Sequence, residues 1–114
     1  MTWKLKRVRQ CGKCPWKVGI DPHDIPDGYC ETKHRLLAST IAEPGVIPRA
    51  SGAAMACHEH PVGDEAHCVG WLWNQMGVGN NLGLRLALMS CENAHAIQVD
   101  GEQHQNFEDT LPGN

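Results

Sequence analysis

Bulky aromatic side chains are scarce in this chain of 114 residues: Tyr29, Phe107, and the four tryptophans Trp3, Trp16, Trp71 and Trp73 are all it has. So small a supply excludes a domain held by a large hydrophobic core alone, and a domain of this size then needs a covalent or metal staple. Long apolar runs are missing too. Nothing is long enough to span a bilayer, and the opening MTWKLKRVRQ lacks the apolar stretch of a secretory signal. A membrane is excluded as a partner on that basis, and a cytoplasmic location is expected. Acid is absent from residues 1–17, which carry Lys4, Lys6, Arg7, Arg9, Lys13 and Lys17.

That last absence segregates the charge. The first seventeen residues balance at +6, while the rest holds four basic groups against all thirteen acids, restoring the overall −3. A basic arm on an acidic body has two uses. It can meet a nucleic acid or a protein outside the molecule, or it can dock on its own body as a strand edge protected by lysines.

What is plentiful is glycine (12), proline (7), histidine (7) and cysteine (6). Glycine and proline mark irregular chain. In a reducing compartment the cysteines are better suited to metal ligation, thiol chemistry or packing than to three disulfides.

The length admits one domain, 1–114, with a basic arm and knuckle over 1–17, a helical body over 18–100, and an acidic, partly flexible tail over 101–114. WKLKRVR alternates partly as a strand does. DGYCETKHRLLASTIA predicts a helix from about Tyr29, with Asp27 as N-cap and Leu36, Leu37 and Ile41 on its apolar face. AAMACH, residues 53–58, reads as a brief buried extended segment that ends on Cys57 and His58. The spacing of Val69, Leu72, Trp73 and Met76 predicts a second helix, starting at Asp64, with Cys68 in its first or second turn. LGLRLALMSCENA predicts a third, capped by Asn80 or Asn81 and with Leu82, Leu86 and Met89 inward. The expected fold class is α+β: a small domain with two or three helices, short strands and a metal-stapled N-terminal knuckle.

Cys11 and Cys14 have the spacing at which a tight turn aims two thiolates at one tetrahedral ion. A C-x-x-C is half a site, and no second C-x-x-C exists. The other half must come from Cys57, His58, His60, His67 and Cys68. The assignment is Cys11, Cys14, Cys57 and Cys68, with His58 the first substitute for Cys57 and His60 or His67 weaker ones. Zn2+ is the expected ion; the same four thiolates would also suit an iron–sulfur cluster. Cys30 and Cys91 fall among apolar neighbours on expected helices and read as buried thiols. His23, His34, His95 and His104 are scattered and receive no role.

The residues raise two catalytic readings. A redox C-x-x-C would sit at a helix start after a core strand, and this one lies within fifteen residues of the start with no such pattern behind it. His58, Glu59 and His60 gather two imidazoles and a carboxylate, but not as H-E-x-x-H, and not in the order of a zinc deaminase. A metal with four protein ligands leaves no open position for a substrate. A metal-dependent hydrolase or nuclease using His58, Glu59 and His60 therefore stands as the alternative to a non-catalytic binding protein.

The ordered set CGKCPW, MACHEH, CVGWLW and NNLGLRLAL resembles a poorly characterised family of small proteins of phage and bacterial genomes. Its members carry C-x-x-C-P-W, a central Cys-His, a C-x-G-W helix start and a later Asn-x-x-x-Arg-Leu-like helix. The resemblance runs over residues 9–90 and falls on Cys11, Cys14, Pro15, Trp16, Cys57, His58, Cys68, Gly70, Trp71 and Arg85. It implies a single metal-dependent domain, phage or prophage encoded, acting as an accessory factor on a host protein or nucleic acid.

These positions also have physical roles to fill. Trp16 can cover the metal. Gly70 inside a helix costs about 1 kcal/mol relative to Ala, so close approach of another segment is expected there. Arg85, on an otherwise apolar helix, is expected to snorkel, to pair internally or to meet an anion.

Overall fold

The computed structural model describes residues 2–24, 29–45, 54–57 and 63–112. Three short helices are present: α1, Glu31–Leu36; α2, Val69–Met76; and α3, Leu82–Leu88. Single 3-10 turns lie at Pro22–Asp24, Leu37–Thr40, Ala94–Ala96 and Phe107–Thr110. No helix among the described residues is long and apolar enough to cross a membrane.

The basic arm lies along the chain's last third. Trp3 bridges Cys91 and Arg9 bridges Gln98 in parallel, and Lys17 bridges Gln103 antiparallel. The parallel pairing cannot run on because the Ala94–Ala96 turn interrupts the partner segment. Asn93 fills the gap with its side chain, accepting from the Leu5 N–H at 2.8 Å and donating to the Leu5 carbonyl at 3.0 Å. Strand is thereby reduced to isolated bridges, and no sheet forms among the described residues.

α2 is the central element. Asp64 was the expected start, but residues 66–68 are extended instead, because the Cys57 N–H donates to the Ala66 carbonyl and the Cys68 N–H to the Met55 carbonyl. Cys68 is thus the N-cap of α2 rather than a residue of its first turns. The inward face also differs from the expected one: Val69, Trp71 and Leu72 are buried, while Trp73 is 48% exposed. The core cannot surround the whole helix, and Trp71 takes the inner place because its indole N–H finds the Thr40 carbonyl at 3.1 Å.

α1 is shorter than its pattern. After Leu36 the chain tightens into a 3-10 turn, where the Ser39 and Thr40 hydroxyls bond the Leu36 and Leu37 carbonyls. Leu37 and Ile41 pack on the core, but Leu36 is 70% exposed. The N-cap is Cys30, and its thiol is exposed rather than buried. Cys91 lies beyond the end of α3, half-buried against the core. The expected cap Asp27 lies outside the described residues.

α3 is capped as expected: Asn81 accepts from the Leu84 N–H at 3.0 Å. Leu86 and Met89, expected inside, are exposed, and Leu84 makes the core contact. Arg85 is exposed and donates to the Met76 carbonyl, closing the C-terminal end of α2.

One apolar cluster joins all of this: Leu5 of the arm, the knuckle with Trp16, Met55, Ala66, Trp71 and Leu72, and Phe107 and Leu111 of the tail.

Candidate metal centre

Local structure brings three segments together. In the knuckle the Cys14 N–H donates to the Cys11 carbonyl at 3.4 Å, and the Lys17 N–H to the Cys14 carbonyl at 3.0 Å, so the chain turns twice within seven residues. Across from it, the extended segments 54–57 and 66–68 alternate: Met55, Cys57, Ala66 and Cys68 are buried, while Ala56 is exposed and His67 half-buried. Period-two alternation puts Cys57 and Cys68 on the same inner side.

The four cysteines assigned from sequence are each at most 5% exposed. The Cys14 and Cys68 sulfurs are 3.7 Å apart, from positions 54 residues distant in the chain. Cys11 contacts both Cys14 and Cys57 through its thiol. The contacts therefore run Cys57–Cys11–Cys14–Cys68 and join all four.

Two close approaches hold the knuckle on α2. A Cβ added to Gly70 would stand 2.7 Å from the Cys14 sulfur and from the Trp16 Cβ. Trp16 is fully buried beside this contact, with its indole N–H on the Met55 sulfur at 3.4 Å and its ring against Phe107.

The electrostatics of the group are those of four thiols sharing one charge. Cys14 ionises first, its pKa held down at about 3 because Cys11 and Cys68 donate to its sulfur, against the cost of burial. Cys11 and Cys68 are pushed up in turn, each by donating a hydrogen bond to Cys14 and by burial, with Cys11 raised also by its bond to Cys57. Fixed donors add to the polarity: the backbone N–H of Trp16 and the Gln10 amide bond the Cys14 sulfur, and the backbone N–H of Trp71 bonds that of Cys68.

Gln10 is a residue that sequence reasoning missed. Its amide exchanges hydrogen bonds with Gln103 at 2.7 and 3.0 Å and accepts from the Asp100 N–H, tying the knuckle to the tail. Nothing in a lone Gln before a C-x-x-C signals this.

Among the described residues the sulfurs stand as contacting thiols, and no three ligating side chains are already splayed about a common point as an ion would require. In chemistry alone, four thiols are the donors a soft ion takes. A tetrahedral ion with Zn–S bonds of about 2.3 Å places its sulfurs about 3.8 Å apart, against the 3.7 Å found between Cys14 and Cys68. Four buried thiols that cannot all ionise alone would do so around a cation, which inverts the local charge balance.

His67, a weaker candidate, is instead held between Trp3 and Trp71, with ring centroids 6.1 and 6.5 Å away. His58, Glu59 and His60 lie outside the described residues.

No known protein family, curated protein or solved structure matches this chain.

Proposed function

We propose that this protein is a small, non-catalytic zinc-binding module acting as a phage or prophage accessory factor, in which Cys11, Cys14, Cys57 and Cys68 hold the metal and the surface engages a host partner. The observation that carries the reading is the meeting of Cys14 with Cys68, and of Cys11 with Cys57, in a domain with few other large core groups. A staple here would join arm, extended segments and α2, and would let a domain of short helices persist with strand reduced to bridges. The four cysteines are buried, an arrangement suited to structure rather than turnover.

The partner side favours protein over nucleic acid. Lys4, Lys6 and Lys17 pair with Glu92, Asp64 and Asp100 of the body. The exposed Trp73 and Val78 border a cleft of about 500 Å³ between α2 and residues 99–105, with His104 and Gln105 on its wall and no Asp, Glu, Lys or Arg among the described residues that line it. Half-exposed tryptophan beside apolar surface is the kind of anchor protein interfaces use.

The test is elemental analysis of untagged protein purified without chelator, followed by thermal unfolding before and after chelation. One equivalent of zinc and a melting transition lost on its removal support the reading. Protein that carries no metal, gains none on reconstitution and melts the same with or without chelator overturns it.

A further inference from the structure

We infer that the cleft between α2 and residues 99–105 takes an extended peptide with Lys or Arg on its flanks, which adds to residues 103–105 as a strand. This rests on the reading of that cleft as a partner surface, independent of the metal, and names the chemistry of the partner.

The backbone of Gln103 carries it. On either side of the antiparallel Lys17–Gln103 bridge, the Val18 N–H donates to the Glu102 carbonyl and the His104 N–H to the Trp16 carbonyl. Lys17 and Gln103 are therefore a non-hydrogen-bonded pair, and the N–H and C=O of Gln103 point away from the arm. Among the described residues neither group has a partner, and nor has the Gln105 N–H two positions on. Open main-chain groups along a strand edge are the template on which another chain pairs.

α2 faces this edge. The Asn74 amide donates to the Gln105 carbonyl at 2.8 Å, so one group of the edge is already served from that direction. Beyond that bond the two walls enclose about 500 Å³, within the range of clefts that take ligands. Trp73, Val78 and Val99 give the walls apolar surface. In strand addition the main chain supplies affinity, and alternate side chains enter such surface to supply selectivity.

Charge decides which peptide. Residues 99–114 hold Asp100, Glu102, Glu108 and Asp109, with no Lys or Arg. Lys17 pairs with Asp100, but Glu102 is exposed and has no basic partner among the described residues. An acidic edge attracts a basic flank. It also repels a second copy of itself, since like charges across paired strands are destabilising.

The experiment titrates the full 15N-labelled chain, followed by NMR, with the capped octapeptide KVTVTVTK. Two comparison peptides are its acidic counterpart EVTVTVTE and a copy N-methylated at every valine and threonine. The basic peptide should shift the Gln103 and Gln105 amide signals and slow their hydrogen exchange. The acidic and methylated peptides should each bind about tenfold more weakly or worse, as should the basic peptide to Trp73→Ala, a variant at a half-exposed position. A methylated peptide that binds as tightly as its parent, with both lost in Trp73→Ala, overturns strand addition and leaves the cleft a partner surface. Failure of the basic peptide to bind overturns strand addition too, as does protection of the Gln103 amide by rising protein concentration alone, which would seat a second copy there. Full-strength binding to Trp73→Ala with the Gln103 and Gln105 amides undisturbed overturns the partner surface itself.

Discussion

Gly70 of α2 and Cys14 of the knuckle touch across the molecule, so closely that a side-chain carbon on Gly70 would lie 2.7 Å from the Cys14 sulfur. Gly70→Ala should therefore be destabilising although alanine favours a helix by about 1 kcal/mol. Overpacking a filled site costs about 1–3 kcal/mol, and here both neighbours are buried and unable to swing away. Denaturant unfolding of the zinc-loaded variant measures the balance. Gly12→Ala, within the same knuckle but with nothing inside 4 Å of the new carbon, is the control and should unfold as wild type does.

Cys14→Ser and Cys68→Ser should each abolish stoichiometric zinc, because the pair supplies half of a closed ligand set. Cys30→Ser should change neither metal content nor melting temperature, since that thiol is exposed on the cap of α1. Elemental analysis and a melting curve on the three variants separate the cluster from the bystander. Zinc retained in full by Cys68→Ser would remove it from the ligand set.

That Cys11, Cys14, Cys57 and Cys68 would be buried together was legible in sequence, because C-x-x-C spacing and a scarcity of core aromatics constrain where thiols go. The Gly70 contact was legible for a similar reason: an unfavourable helix residue needs a compensating approach. Faces of helices were less so. Trp71 and Trp73 are both large and apolar, and periodicity put Trp73 inside; the Thr40 carbonyl, which rewards Trp71, comes from a turn no local pattern marks. The start of α2 moved from Asp64 to Val69 because non-local pairing with 55–57 overrode a helical pattern. Cys30 was misread as buried because apolar sequence neighbours do not fix which way a cap residue points.

Gln75 is fully buried and no motif announces it. Its carbonyl oxygen accepts from the Ala42 N–H at 3.0 Å and from the Asn81 amide at 3.1 Å, and its own amide donates to Asn74. Gln75→Leu keeps the bulk and strands the two donors, so it should cost about 1–3 kcal/mol. Equilibrium unfolding in urea reads the loss; a variant as stable as wild type would mean that water replaces the amide.

His34 links α1 to the tail. Thr110 gives its hydroxyl proton to the Phe107 carbonyl, so it must accept from the His34 Nε2–H, which leaves Nδ1 to accept from the Tyr29 hydroxyl at 2.7 Å. Burial, with Arg35 adding to it, holds the His34 pKa below its ordinary 6.5. A depressed histidine binds its proton more readily when unfolded. Its contribution to stability is complete above pH 6.5 and lost as pH falls toward the folded value. Other groups titrate in acid as well, and loss of the proposed zinc would add to them, so the informative quantity is the difference between wild type and His34→Gln. Wild type should lead at pH 7.5, and its lead should shrink on acidification below pH 6.5. A difference that stays constant with pH would place the titration elsewhere.

The basic arm tests the choice of partner. Its Lys4, Lys6 and Lys17 already face acids of the body, and exposed pairs of this kind contribute about 0–1 kcal/mol each. They are cheap to break, yet a phosphate drawn to these three lysines must compete with an acid held beside each, on a molecule whose net charge is −3. Filter binding with single-stranded and duplex DNA should accordingly show little retention even at low salt. Neutralising Lys4, Lys6, Arg7 and Arg9 should change it little. Strong retention that falls steeply with salt and disappears in that fourfold variant would reverse the preference, because such a slope counts the phosphates neutralised.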